Sequence, residues 1–444
     1  MPRTSNSRLR ALLEAAGWSQ TQLAHALRKV ADEHGMPLAC DHSTIRRWLA
    51  GTQPRPPASA YLLETLARRL GRPVTAQEAG LTQAPVTVID PYGESDPLRR
   101  LALLTRSESD PTQRRLLGSN VFSVAALVAP VPDRHGRPSA HQARPTVGRR
   151  VGAPEVEQAQ AMISAFSALS EQHGGGPVRA SAAAYLAHHI TPWLHAPATT
   201  TVHRQLMSKA AQLALLLGNM SVDSGIDALA QHYHRTAAQM AADAGDVSTL
   251  AVALRTMATH AHELGHHDVR VLNLAEQAAD RARHCAHSVR AYTQAHLAVI
   301  LAHHDRHAAL TALARAEHLH ARADSPSGPF SAYPGGALHY QRANTLATLG
   351  DLRGAINALT TSLRLRTGTE HHAAALTRAR LAEAHLRLGH LDQALTHWGA
   401  FVDAYPTVQS ARTIRVLTSM RQRLRPHRRH TAVTALLTHA GNLT

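Results

Sequence analysis

The five residues His262-Glu263-Leu264-Gly265-His266 have the most chemically specific spacing in this 444-residue chain. Two histidines four apart share one face of a helix and can grip a zinc ion. The glutamate between them can take a proton from the bound water, giving metal-assisted hydrolysis. Three features favour a plainer reading. Leu264-Gly265-His266 recurs as Leu388-Gly389-His390, which puts the second histidine in a repeated turn. The downstream carboxylates that would complete a zinc shell, Glu276 and Asp280, follow no recognisable ligand spacing. With 33 histidines in the chain, pairs at this spacing arise by chance. The reading therefore assigns no catalytic residue, no metal and no cofactor. The doublets His188-His189, His266-His267, His303-His304 and His371-His372 are treated likewise. Neighbours on a helix point about a hundred degrees apart, so neither member chelates with the other, and solvated helix ends are expected.

A second set of residues points to recognition. Ile45, Trp48 and Leu49 recur at the spacing that buries one helical face, Asp41 stands where a cap is needed, and Ser43, Arg46 and Arg47 point elsewhere. A helix with a short polar first turn and a basic outward face can enter the DNA major groove, where an arginine fork matches the guanine acceptors. Gly51 and the run Thr52-Gln53-Pro54-Arg55-Pro56-Pro57 form its exit. Upstream, Trp18 to Ala24 opens another helix with Ser19 and Gln22 at capping-box spacing. Leu9, Leu12 and Leu13 before the pair, and Leu62, Leu63, Leu66, Ala67 and Leu70 after it, supply the apolar stripes of a small core.

Through Ser19-Gln20, Leu23-Ala24, Ser43-Thr44-Ile45 and Gly51 with Pro54-Arg55-Pro56, the segment resembles the XRE family of phage-repressor-type helix-turn-helix domains, over about the first eighty residues. The resemblance implies that His42, Ser43 and Arg47 face base edges while Gln20 and Arg55 lie near phosphates; Arg46 shares the basic outward face. Phosphate contacts set register and base contacts set sequence. The chain departs from the family in one place. Arg28 to Cys40, with the breakers Gly35 and Pro37, stands where the family has only a few residues. Some metallopeptidases that inactivate phage-type repressors also carry XRE domains, so an XRE-linked zinc metallopeptidase using His262 to His266 stays open as an alternative.

Composition bounds these readings. A formal charge of +16 favours a polyanionic partner, because a cationic chain gains affinity by releasing counterions from nucleic acid. The 4% aromatic content argues against a stacking platform for single strands, leaving double-stranded DNA. Cys40 and Cys285 cannot make a disulfide framework and fit a reducing cytosol. Met1 to Ser5 is polar, and no run reaches the length of a membrane span, so a cytoplasmic protein without a membrane partner is expected. Arg114-Arg115-Leu116-Leu117 before Val121 to Ala129 imitates a twin-arginine export signal, but it would follow a folded domain. It is read as a short buried helix ended by Pro130 and Pro132.

The chain divides into a head (1–83), a Pro/Arg-rich linker region (84–155) with short helices at Leu98 to Leu104 and Arg114 to Ala129, and an alanine- and leucine-rich region (156–444) of helical period. In that last region Leu349-Gly350-Asp351-Leu352 with Ala355-Ile356 recurs as Leu388-Gly389-His390-Leu391 with Ala394-Leu395. These signatures resemble tetratricopeptide repeats, most clearly where Ala382, Trp398 and Pro406 complete the pattern. Weaker copies lie around Ala238 with Gly245-Asp246 and around His303-His304-Asp305. Repeats of this kind stack into a superhelix with a concave binding face. The expected fold is all-α, a helix-turn-helix bundle followed by a tetratricopeptide-like α-superhelix. The expected function is a sequence-specific transcriptional regulator, a homodimer with a peptide or small-molecule effector in the repeat groove. A DNA-tethered protein adaptor is the other alternative.

Overall fold

The computed structural model describes residues 5–34, 36–81, 96–110, 121–130, 150–324, 330, 332–408 and 410–443. The fold is all-α, with no strand among the described residues. Two compact units account for it: residues 1–128 with Asp227–His232, and residues 129–226 with 233–444.

The first unit is built on four helices, α1 (Ser7–Ala15), α2 (Gln20–Glu33), α3 (His42–Leu49) and α4 (Ala58–Leu70). Their starts follow from local chemistry. Asn6 caps α1 by accepting from the Leu9 amide at 3.0 Å. At α2, Ser19 and Gln22 exchange bonds of 2.8 and 3.2 Å in the predicted capping box. The apolar positions of all four helices, Leu9, Leu23, Leu27, Ile45, Leu62 and Leu66 at the centre, converge on one core. Its periphery is tied by polar bonds that the sequence does not announce. The Asn6 amide donates to the carbonyls of Ala79 and Gly80, which places the turn after α4 against the start of α1. Gly80 has φ +62° and a Cβ there would collide with the Asn6 side chain, so only glycine serves. Arg68 bridges Glu33 and the buried Glu64 at 2.6 and 2.7 Å.

Two expectations need adjustment here. α2 runs to Glu33, five residues beyond Arg28, so the connection to α3 is shorter than the sequence suggested; Leu27, Val30 and Ala31 continue its buried stripe and carry the helix on. Farther along, Leu98 to Leu104 lies within α5 (Pro97–Ser109), started by the Asp96 cap. Within the stretch Val121 to Ala129, Phe122 to Leu127 is buried while Val128 is exposed, and in place of the expected helix there is a single 3-10 turn, Val124–Ala126, whose first amide donates to Glu64 at 3.0 Å. The arginine pair at Arg114-Arg115 and the polar run from Asp133 lie outside the described residues, except for Arg150.

The second unit is an array of helices. It begins with α6 (Ala153–His173) and α7 (Gly175–Tyr185), which passes through a π turn at Leu186–Ile190 into the short α8 (Thr191–His195). Then follow α9 (Thr200–Asp223), α10 (Asp227–Ala244), of which the part from Tyr233 on belongs to this unit, α11 (Val247–Glu263) and α12 (Val269–Arg281). Next come α13 (His287–Leu301), α14 (Arg306–Ala321), α15 (Gly335–Thr348) and α16 (Leu352–Leu365). The chain ends with α17 (His371–Arg387), α18 (Leu391–Ala404), α19 (Ala411–Leu424) and α20 (Thr431–Gly441). Successive pairs α11/α12, α13/α14, α15/α16 and α17/α18 pack most extensively, as hairpins do.

One turn recurs at Gly245, Gly265, Gly350 and Gly389, each at positive φ. In every copy the next residue's amide reaches back five positions: Asp246 to Ala241, His266 to Ala261, Asp351 to Leu346 and His390 to His385, at 2.9 to 3.0 Å. This closes the preceding helix as a Schellman turn. Where the following residue is aspartate it also caps the next helix, as Asp246 does for Thr249 and Asp351 for Gly354. The alanines read as crossing points, Ala355, Ala382 and Ala394, are fully buried, and Trp398 shares the core of the last two.

The array does not stay open. α17 packs on α6, and α19 packs on α9, so its last helices return to its first. Between them lies a cavity that is partly open to solvent, where Arg412 on α19 finds partners at the ends of α9 and α11.

Candidate nucleic-acid interface and ligand cavity

The outward face of α3 is organised by one carboxylate. Asp41 Oδ1 accepts from the Thr44 amide at 2.8 Å, the Ser43 hydroxyl at 2.8 Å and the Thr44 hydroxyl at 3.0 Å. These donors hold its pKa well below the ordinary carboxylate range. Thr44 Oγ1 in turn accepts from Arg47 Nη2 at 3.1 Å, which aims the guanidinium along the helix rather than leaving it to wander. His42, Arg46, Arg47 and Arg55 are exposed, while Gln20 and Ser43 are half-buried. Ile45, Trp48 and Leu49 on the other side are buried. The structure thus gathers His42, Ser43, Arg46 and Arg47 on one eight-residue helix, with Gln20 at the first position of α2 and Arg55 in the segment after α3. Such an exposed, capped and cationic helix end can meet an anionic backbone while its arginines reach base edges.

The HExxH segment is placed differently from its sequence pattern. α11 ends at Glu263, Gly265 takes φ +89°, and His266 sits in the repeat turn, so the two histidines do not share a helical face. Arg412 Nε donates to the Glu263 carboxylate at 3.0 Å. Burial pushes this carboxyl up, but Arg412 and His260 outweigh it and hold its pKa below the usual value. A carboxylate committed in this way is a poor proton acceptor for bound water.

His262 instead meets His267 and His303. Its Nδ1 lies 3.1 Å from His267 Nδ1, and the His267 and His303 rings stack at 4.0 Å with an interplanar angle of 8°. The sequence reading missed this because it weighed only the two members of each doublet against each other, as neighbours at solvated helix ends, and not one doublet against another. Both sit in turns, where one member of each doublet is free to face across the hairpins; the matching doublets after α11 and α13 were the available signal. The other doublets diverge: His188 and His189 are exposed, whereas His372 is buried against Ser410 Oγ at 3.0 Å.

Inside the second unit a cavity of about 650 Å³ is walled by α6, α9, α10, α11, α13, α15, α17 and α19. Its wall mixes aromatic and charged groups. Arg255 lies over the Tyr292 ring at 3.9 Å and donates to Tyr292 OH at 2.8 Å; Tyr292 packs edge-on against Tyr333. Tyr333 OH, Ser288 Oγ and Arg255 Nε are buried with no hydrogen-bond partner among the described residues. Burial drives the Tyr333 phenol far up, and burial with the nearby Glu370 and Asp223 raises the Glu171 carboxyl. Unmet donors and acceptors next to aromatic faces suit an occupant with polar groups and a flat apolar body. Of the residues lining it, Glu263 and His372 were singled out in the sequence for other reasons, while Arg255, Ser288, Tyr292 and Tyr333 were not, because the wall is assembled from segments spread over some 250 positions.

Residues 9–82 match the family model described as the SP15 N-terminal domain, a span that coincides with α1 to α4 and the turn beyond. No curated protein matches the chain.

Proposed function

We propose that the chain is a sequence-specific regulator that binds double-stranded DNA through an XRE-type helix-turn-helix head and carries a tetratricopeptide-like array that receives a peptide or small-molecule effector. The observation that carries the first half is the Asp41-capped helix α3, whose buried Ile45–Trp48–Leu49 side leaves Arg46 and Arg47 outward. The charge of +16 supports a polyanionic partner. For the second half, the cavity with its unmet Tyr333, Ser288 and Arg255 groups supports an effector site. An effector would act by its differential affinity for two states of the protein, and homodimerisation would pair two heads on a two-fold site.

The test is selection of bound duplexes from a random pool, followed by competition titration at two salt concentrations. A recovered motif preferred by about 10³-fold or more over scrambled DNA is expected of a regulator. Equal affinity for all duplexes would leave only non-specific tethering, the adaptor alternative.

A further inference from the structure

We propose that His262, His267 and His303 form a binding site for a borderline divalent transition metal ion such as Zn²⁺. Each offers a ring nitrogen, and the three nitrogens lie within 4.8 Å of one another. The separation of 3.1 Å between Nδ1 of His262 and Nδ1 of His267 is close to the edge of a tetrahedron around an ion held at about 2.0–2.1 Å. His303 completes a three-nitrogen face. Its ring is stacked parallel to His267, and two parallel rings cannot both aim a lone pair at one ion, so binding requires one of them to turn about its χ2. Both are exposed and have room to do so.

A second observation points to the same place. The three histidines border a cavity of about 620 Å³ that His296 also lines. His296 is fully buried, and neither of its ring nitrogens has a hydrogen-bond partner among the described residues. A desolvated imidazole with both nitrogens unmet is costly unless something polar enters the space in front of it. Three nitrogens leave the fourth position of the ion open toward the cavity, for water or for a donor from a ligand. Neutral imidazoles without thiolates select ions of the zinc, nickel and copper group over magnesium or calcium. The ion would join the end of α11, the turn after it and the turn after α13, and so pin two adjacent hairpins together. The site is distinct from the HExxH pair, since His266 takes no part, and it is independent of the DNA-binding reading.

The experiment uses the full chain, stripped with a chelator and titrated with Zn²⁺ and, for its spectrum, Co²⁺. One saturable ion per chain is expected, with Co²⁺ showing the intense visible bands of low coordination number. His267→Ala and His303→Ala should each weaken binding at least ten-fold, whereas the adjacent His266→Ala and His304→Ala should leave it unchanged. Circular dichroism of each metal-free variant checks the fold, and the unaltered chain supplies a second readout. Zn²⁺ should protect His267 and His303, but not His304, from diethylpyrocarbonate. Absence of saturable binding, equal losses in all four variants, or no selective protection would overturn the proposal and leave only adventitious surface histidines.

Discussion

Arg412 and Glu263, 149 residues apart, meet at 3.0 Å through both Nε and Nη2 of the guanidinium. The same guanidinium reaches Asp223 Oδ1 at 3.3 Å, and Asp223 Oδ2 accepts from the Gly175 amide at 3.1 Å. One cation at the start of α19 therefore holds the ends of α9 and α11 and, through Asp223, the start of α7. Removing it takes away the guanidinium that both carboxylates share. Arg412→Met should destabilise the second unit by about 2–4 kcal/mol in denaturant unfolding, and Glu263→Gln by about 1 kcal/mol. The double variant should cost less than the sum, and strict additivity would show that the pair is not energetically coupled.

Arg47 and Arg55 should separate base reading from phosphate contact. Arg47→Ala is expected to lose about 1–3 kcal/mol on the selected motif, with relaxed preference at one base pair. Because Thr44 aims the guanidinium, Thr44→Val should reproduce part of that loss. Arg55→Ala should weaken all duplexes alike and reduce the salt slope by about one. Equal losses for Arg47→Ala on motif and scrambled DNA would remove its base-reading role.

Gly218 and Gly399 both lie inside helices, α9 and α18, yet should respond oppositely to alanine. A Cβ at Gly218 would run into the His234 ring, while one at Gly399 meets nothing within 4 Å among the described residues. Helix propensity favours alanine by about 1 kcal/mol at either place. Overpacking costs about 1–3 kcal/mol and should win at Gly218. Gly218→Ala is thus expected to lower the melting temperature and Gly399→Ala to raise it slightly.

Buried histidines set the acid limit of the second unit. Burial, then His260 and Arg412, drives the His234 pKa far below its ordinary value, and His234 faces Asn219 Oδ1 at 3.2 Å. Its folded-state pKa is depressed, so the unfolded chain takes up a proton first as pH falls. Stability is full above about pH 6.5 and drops below it, by up to about 1.4 kcal/mol per pH unit for each such group. His234→Gln should flatten this slope between pH 6.5 and 5 in urea titrations; an unchanged slope would assign the acid sensitivity elsewhere.

The sequence by itself determined the helices and their punctuation. Capping residues such as Ser19, Asp41 and Asp351, the positive-φ glycines of the repeat turns and the spacing of buried leucines act within a few residues, and so they can be read along the chain. It also foretold that His266 belongs to a turn, since Leu264-Gly265-His266 copies Leu388-Gly389-His390, and both form the same backbone bond. Tertiary structure alone decided what the helices enclose. The return of α17 and α19 onto α6 and α9 depends on Arg412 finding Asp223 and Glu263 across 189 and 149 residues. The His262–His267–His303 group depends on two turns from different hairpins arriving side by side. No local pattern encodes either meeting, because the spacing that matters is set by how helices stack and not by how residues follow one another.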